Sequence, residues 1–111
     1  MVAIRAIAEG LAPSRPFDRC IGATGALVSA LAAAGVVGER IRLRGHRIER
    51  PEADRRWRRL DRSGWTHYAV NVPDMGMTID PTWRQFDRTG PSVLIETTDA
   101  YDAMWTMKEK A

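Results

Sequence analysis

Apolar and polar residues alternate with a period of two at several places along this chain. Val37, Ile41 and Leu43, for example, are interleaved with glycine and arginine, which is the pattern of a half-buried β-strand. Other short apolar runs are bounded by turn residues, among them the Pro-Asp-Met-Gly sequence at residues 73–76. The predicted strands are residues 37–44, 65–72, 77–82 and 92–97.

Three helices are predicted around these strands. Residues 2–9 predict a short helix, and residues 20–34 predict a longer one that Gly35 ends. The longer helix is apolar on every side, so we expect neighbours to cover it on more than one side. Thr98 or Asp99 can cap a final helix from residue 100 to about residue 110.

Helix, strands and helix in this order predict an α+β fold. In it, an N-terminal helix that carries Cys20 packs on a small antiparallel sheet, and a helix follows at the C-terminus. Residues 51–62 begin with proline and acids and then turn basic, as a short surface helix or a charged loop would. The length of 111 residues fits one domain, residues 1–111.

Composition excludes several classes of protein. A single cysteine excludes an internal disulfide and a multi-cysteine zinc site, and it favours a reducing compartment. The longest apolar stretch, residues 21–37, is interrupted by small polar residues and is short for a membrane span, so no membrane association is expected. The N-terminus lacks the pattern of a secretory signal. We therefore expect a cytoplasmic protein, with delivery by a specialised secretion system left open.

Positive charge is concentrated in residues 40–62, which we call the basic segment. It holds ten arginines and four acidic residues, a net charge of +6, whereas the whole chain carries only +3. The bias reflects either arginine-rich composition or a surface for an acidic or nucleic-acid partner. Its densest cluster is Arg55, Arg56, Arg58 and Arg59. No nucleic-acid-binding motif is present in the segment.

The hairpin of the second and third strands carries the candidate chemistry. If its loop has an even number of residues, Val72 lies opposite Met77. His67 and Asp80 are then diagonal neighbours on one face, within reach of each other through their side chains. This face could simply point at water. Alternatively the apolar helix covers it, which would bring the Cys20 thiol to the imidazole–carboxylate pair.

A thiol, an imidazole and a carboxylate together can perform nucleophilic catalysis. The thiolate is the nucleophile, and a helix N-terminus and a neighbouring imidazolium both favour it. The carboxylate orients the imidazole and stabilises its charged form. The free N–H groups at the start of the helix could donate to an oxyanion. A zinc site formed by Cys20, His67 and Asp80 is disfavoured, since no closely spaced ligand pair is present.

The order of these residues resembles the papain-like and transglutaminase-like cysteine enzymes. The sequence His-Tyr-Ala-Val-Asn-Val from His67 is similar to the histidine strand of that superfamily, and Asp80-Pro81-Thr82 is similar to its Asp-Pro-Thr element. The spacing of 13 residues between His67 and Asp80 is typical. The Trp-Arg-Gln-Phe sequence at residues 83–86 resembles short bacterial and phage members.

The resemblance implies a cysteine hydrolase or acyltransferase that acts on an amide in a protein or peptide substrate. It implies Cys20 as the nucleophile, His67 as the base and Asp80 as the orienting group, and it implies no cofactor. Asn71, Trp83 and Gln85 are candidate residues of a substrate groove. The alternatives are a catalytically silent relative that binds an acidic or nucleic-acid partner through the basic segment, and an oligomer-forming structural protein of phage type.

Overall fold

The computed structural model describes residues 2–16, 19–46, 67–87 and 89–111. These residues form three α-helices, five β-strands and two short 3-10 helices. The helices and strands are α1 (Val2–Leu11), α2 (Cys20–Ala33), β1 (Glu39–His46), β2 (His67–Val72), β3 (Met77–Asp80), β4 (Leu94–Thr97), α3 (Thr98–Asp102) and β5 (Trp105–Lys110). The 3-10 helices are Pro73–Met75 and Trp83–Gln85. The surface helix or loop expected at residues 51–62 lies outside the described residues.

The five strands form one antiparallel sheet in the order β4-β3-β2-β1-β5. Helix α2, which begins at Cys20, packs against this sheet together with α1. The predicted α+β class, with a cysteine-bearing helix on an antiparallel sheet, is confirmed. No helix within the described ranges is both long enough and apolar enough to cross a bilayer.

Helix α2 ends where Gly35 reverses the chain. Gly35 has a φ of 79°, a conformation that favours glycine. The N–H of Val36 donates to the carbonyl of Leu31 at 2.8 Å, and the N–H of Gly35 donates to that of Ala32 at 3.0 Å. This pair of bonds is the Schellman motif, which satisfies carbonyls left over at a helix end. The predicted stop at Gly35 is confirmed.

One face of the sheet is covered by the two N-terminal helices. Helix α1 lies against α2, so the apolar sides of α2 are covered by the sheet and by a second helix, as expected. The buried members of this cluster are Ile4, Ala8, Leu27, Leu31, Val70, Val72, Ile79 and Val93. Each large aliphatic side chain buried here stabilises the fold by about 1.5–3 kcal/mol.

The opposite face carries His67 and Asp80, and it is covered by aromatic residues instead of by α2. The expectation that the α2 helix covers this face is therefore wrong for the body of the helix. Its apolar side chains bury more apolar surface against Val70 and Ile79 than they could against a polar face. The second cluster is formed by Ile41, Leu43, Ala69, Trp83, Phe86, Tyr101 and Trp105.

The predicted C-terminal helix is present as α3, but it ends at Asp102 instead of at about residue 110. Its cap is Thr97, whose hydroxyl accepts from the N–H of Ala100 at 3.2 Å. After α3 the chain forms β5, which pairs with β1 from His46 opposite Trp105 to Ile41 opposite Lys110. Pairing with an existing strand outweighs the moderate helix propensity of the methionine, lysine and glutamate residues here.

The hairpin of β2 and β3 has the predicted register. Val72 pairs with Met77, Asn71 with Thr78 and Val70 with Ile79. The loop closes through Gly76, which has a φ of 60°. Because side chains alternate along both strands, this register places His67 and Asp80 on the same face.

Candidate active site

His67 and Asp80 form a buried pair at one end of the sheet. His67 is the first residue of β2, and Asp80 is the last residue of β3. Nε2 of His67 lies 2.7 Å from Oδ2 of Asp80, and both side chains are 0% exposed. The pairing that the register predicted is therefore present, and Nε2 of the imidazole donates to the carboxylate.

The Asp80 carboxylate is held by residues on both sides of it. The hydroxyl of Tyr101 donates to Oδ2 at 2.7 Å. On the other oxygen, the backbone N–H and the hydroxyl of Thr82 donate to Oδ1 at 3.1 and 3.4 Å. The Asp-Pro-Thr sequence therefore folds so that the threonine binds the aspartate two residues before it. A buried carboxylate needs such donors, because an unpaired one is costly.

Cys20 joins this pair from the first turn of α2. Its side chain is buried, with 5% of the residue exposed. Cys20 is one of the groups that raise the pKa of His67 and the pKa of Tyr101, so it lies in their neighbourhood. The structure therefore shows the predicted contact of His67 with Asp80 and places Cys20 in the same part of the fold.

The surroundings of His67 favour its charged form. Burial lowers the pKa of His67. Asp80, and then Cys20, raise it by more than burial lowers it, so that the pKa is about 9. The ring is therefore an imidazolium at neutral pH. Burial, followed by the charge and hydrogen bond of Asp80, raises the pKa of Tyr101 well above 10, so its hydroxyl remains a donor.

Of the three predicted groove residues, Gln85 lies beside the site. Its Nε2 is 3.1 Å from Nδ1 of His67 and 3.0 Å from the hydroxyl of Thr82. Trp83 is only 1% exposed and packs edge-on to Phe86 in the aromatic cluster. Asn71 is half-buried and accepts from Thr78 at 2.6 Å, four residues along β2 from His67. The structure thus places Trp83 in the core and Asn71 away from the imidazole.

Three site residues were not identified from the sequence. Tyr101 binds the carboxylate, the Trp105 ring stacks on His67 at 5.3 Å and an angle of 14°, and Phe86 meets His67 edge-on at 4.6 Å. The predicted C-terminal helix obscured two of them, because Trp105 belongs to strand β5 and Tyr101 to the short helix α3 before it. One signal in the sequence could have indicated Tyr101. A buried tyrosine hydroxyl needs a hydrogen-bond partner, and a buried Asp80 carboxylate needs donors.

The basic segment is described at residues 40–46 only. Arg42 forms an ion pair with Glu109 of β5, and the guanidinium of Arg40 lies 5.2 Å from the ring centre of Tyr68. These two arginines therefore have partners within the fold. The predicted cluster of Arg55, Arg56, Arg58 and Arg59 lies outside the described residues.

The described ranges contain no group of three or more histidine, cysteine and acidic residues arranged to hold a metal ion. In comparisons with protein-family models, curated proteins and solved structures, no match to this chain was found. Membership of the papain-like or transglutaminase-like superfamily remains a prediction from the sequence. The chemistry of the site is therefore argued from its own geometry.

Proposed function

We propose that the protein is a cysteine-dependent hydrolase or acyltransferase that acts on an amide of a protein or peptide. The observation that carries this proposal is that one imidazole, His67, is bound to the Asp80 carboxylate at 2.7 Å and also interacts with the Cys20 thiol. A lone buried cysteine is usually structural. A cysteine next to a carboxylate-bound imidazolium has the partners that a nucleophile requires.

The reaction begins with Cys20 as a thiolate and with a proton on Nδ1 of His67, since Nε2 is bound to Asp80. The sulfur of Cys20 attacks the amide carbonyl carbon, and the electron pair of the carbonyl moves to its oxygen. When that pair returns, the carbon–nitrogen bond breaks and Nδ1 gives its proton to the leaving amine. The products are an amine and an acyl group bound to sulfur as a thioester.

The second half of the reaction releases the acyl group. Water or an amine loses a proton to Nδ1 as it attacks the thioester, and the sulfur leaves as the thiolate that pairs with the imidazolium. Water gives hydrolysis, and an amine gives transamidation. Asp80 keeps its charge throughout, and Tyr101 and Thr82 hold its two oxygens. The free N–H groups at the start of α2 are suited to stabilise the oxyanion.

Substrate reaches the site from the side of α2. Cys20 is 5% exposed, whereas His67 and Asp80 are 0% exposed. Next to Cys20, Ile21 is 58% exposed and Arg19 is also exposed. A substrate therefore approaches His67 along the start of α2, where Cys20 is the least buried of the three catalytic residues.

The proposal is tested by acyl transfer from p-nitrophenyl acetate, followed by mass spectrometry of the intact protein. We expect a burst of nitrophenolate and the gain of one acetyl group on Cys20. The Cys20→Ala protein, which has no thiol, is the control and should show neither. Asp80→Asn should acetylate more slowly, since the imidazole loses its charged partner. Acetylation of the wild type at the rate of a simple thiol of similar basicity would contradict the proposal.

A further inference from the structure

The side-chain amide of Gln85 contacts the ring nitrogen of His67 that the proposed reaction uses. Its Nε2 lies 3.1 Å from Nδ1 of His67 and 3.0 Å from the Thr82 hydroxyl oxygen. The side chain is buried, with 2% of the residue exposed. If each amide hydrogen binds one of these acceptors, Nδ1 carries a lone pair, which is the neutral form of the ring.

The other end of the same amide lacks a donor. Oε1 of Gln85 is buried and has no hydrogen-bond partner among the residues that the structure describes. A buried acceptor without a donor is costly, so it needs an explanation. When a carboxamide turns by half a revolution about its last bond, its oxygen and nitrogen exchange places. That turn brings Oε1 to Nδ1, where it accepts the proton that an imidazolium carries there.

The titratable groups that act on His67 from the described residues come from three elements. Asp80 of β3 binds Nε2, Cys20 of α2 interacts with the ring, and Tyr101 of α3 acts through Asp80. Phe86 and Trp105 cover the ring with uncharged surfaces. Since the carboxylate holds Nε2 in both states, Nδ1 is the nitrogen that gains and loses the proton.

We propose that Gln85 is a positioning residue that hydrogen-bonds Nδ1 of His67 in both protonation states. Between the proton transfers, its amide donates to Nδ1 when the ring is neutral and turns to accept from Nδ1 when the ring is charged. The inference rests on the proposed function, in which each acyl transfer takes a proton to Nδ1 and returns it. Gln85 itself neither gains nor loses a proton, and the ring stays bonded to Asp80 through Nε2 throughout.

The test is the substitution Gln85→Met, which keeps the length of the side chain and removes both hydrogen bonds. The hydrogen bond from the charged ring to Gln85 is stronger than the bond from Gln85 to the neutral ring. The substitution therefore destabilises the charged form of His67 more than the neutral form. We expect the pKa of His67 to fall by about 0.5 to 1 unit. If Gln85 could only donate to Nδ1, its bond would stabilise the neutral ring alone. The same substitution would then destabilise the neutral form and raise the pKa of His67.

The measurement is NMR titration of the His67 ring nitrogens without substrate. Asn71→Met is the matched control, because it removes a half-buried amide on β2 that contacts Thr78 instead of His67. It should leave the titration of His67 unchanged. A rise or no change in the pKa of His67 in the Gln85→Met protein would overturn the role of Gln85.

A second measurement uses the wild-type protein alone. Nitrogen–nitrogen coupling across the bond from Gln85 Nε2 to His67 Nδ1 should be present near pH 10 and absent near pH 7, on either side of the His67 pKa of about 9. Equal coupling at both pH values would refute the turn of the amide. Failure of Cys20 acetylation would instead overturn the proposed function, and it would leave these titrations interpretable.

Discussion

The His67–Asp80 pair should make the stability of the protein depend on pH in a defined window. The pKa of His67 is about 9 in the folded protein, whereas an exposed histidine in the unfolded chain has a pKa of about 6.5. Between these values His67 holds a proton in the folded state that it lacks in the unfolded chain. Stability must therefore fall as pH rises through this window, since raising pH favours the state that binds fewer protons.

The magnitude follows from the difference between the two pKa values. A difference of about 2.5 units at about 1.36 kcal/mol per unit gives a loss of about 3 kcal/mol between pH 6.5 and pH 9. The stabilisation is fully present below about pH 6.5 and is lost as pH passes about 9. Against a total stability of about 5–15 kcal/mol for a domain, the loss is easily measured.

Urea unfolding at constant ionic strength, repeated at half-unit steps of pH, measures this loss. The His67→Gln protein is the control, because it keeps every other titrating group and the difference between the two curves isolates His67. If the variant does not fold, NMR titration of His67 in the wild type gives the same information. A difference curve that is flat, or that rises with pH, would refute the assignment of His67 as a buried imidazolium.

Three further predictions concern other parts of the chain. Tyr101→Phe should lower the free energy of unfolding, measured with urea, by about 1.5–3 kcal/mol, because the buried Asp80 carboxylate loses a donor. Tyr68→Phe is the control at a half-buried position and should change this free energy by less than about 0.5 kcal/mol. Gly35→Ala should destabilise the protein by about 1–2 kcal/mol in thermal unfolding, because alanine is strained at the positive φ of this position. Gly10→Ala is the control and should stabilise slightly, because Gly10 is exposed in a helix with open space around it. Equal effects of the two substitutions would contradict the role of Gly35 as the helix stop. If the basic segment binds polyanions, replacing its densest cluster by glutamine should weaken retention on heparin and flatten its salt dependence, whereas unchanged retention would exclude that role. The cluster is Arg55, Arg56, Arg58 and Arg59.

The hairpin could be predicted because two independent patterns agree on one register. Apolar residues alternate in both strands, and a register with an even-numbered loop, such as the pairing of Val72 with Met77, sends Val70 and Ile79 to the same side. A shift by one residue would bury Asp80 among these apolar side chains, which costs several kcal/mol. The end of α2 at Gly35 could also be predicted, because it depends on a local backbone conformation that favours glycine.

The parts that could not be predicted depend on tertiary packing. Residues 105–110 have no strong preference between helix and strand, and the open edge of β1 decides their state. The face of the sheet on which α2 packs depends on how much apolar area each face offers. The sequence pattern of the helix alone does not give this area. The contacts of Tyr101 and Gln85 join residues that are distant along the chain, and side-chain geometry alone fixes them.

The central claim is that Cys20 and His67 act as one nucleophilic pair, and the rate of Cys20 alkylation against pH tests it most directly. Cys20 is the chain's only cysteine, so iodoacetamide reports on this thiol alone. The account predicts that native Cys20 reacts faster than a free model thiol near pH 6, and that His67→Ala removes this advantage. Alkylation of Cys20 only after the protein is unfolded would contradict the account and make Cys20 a structural thiol.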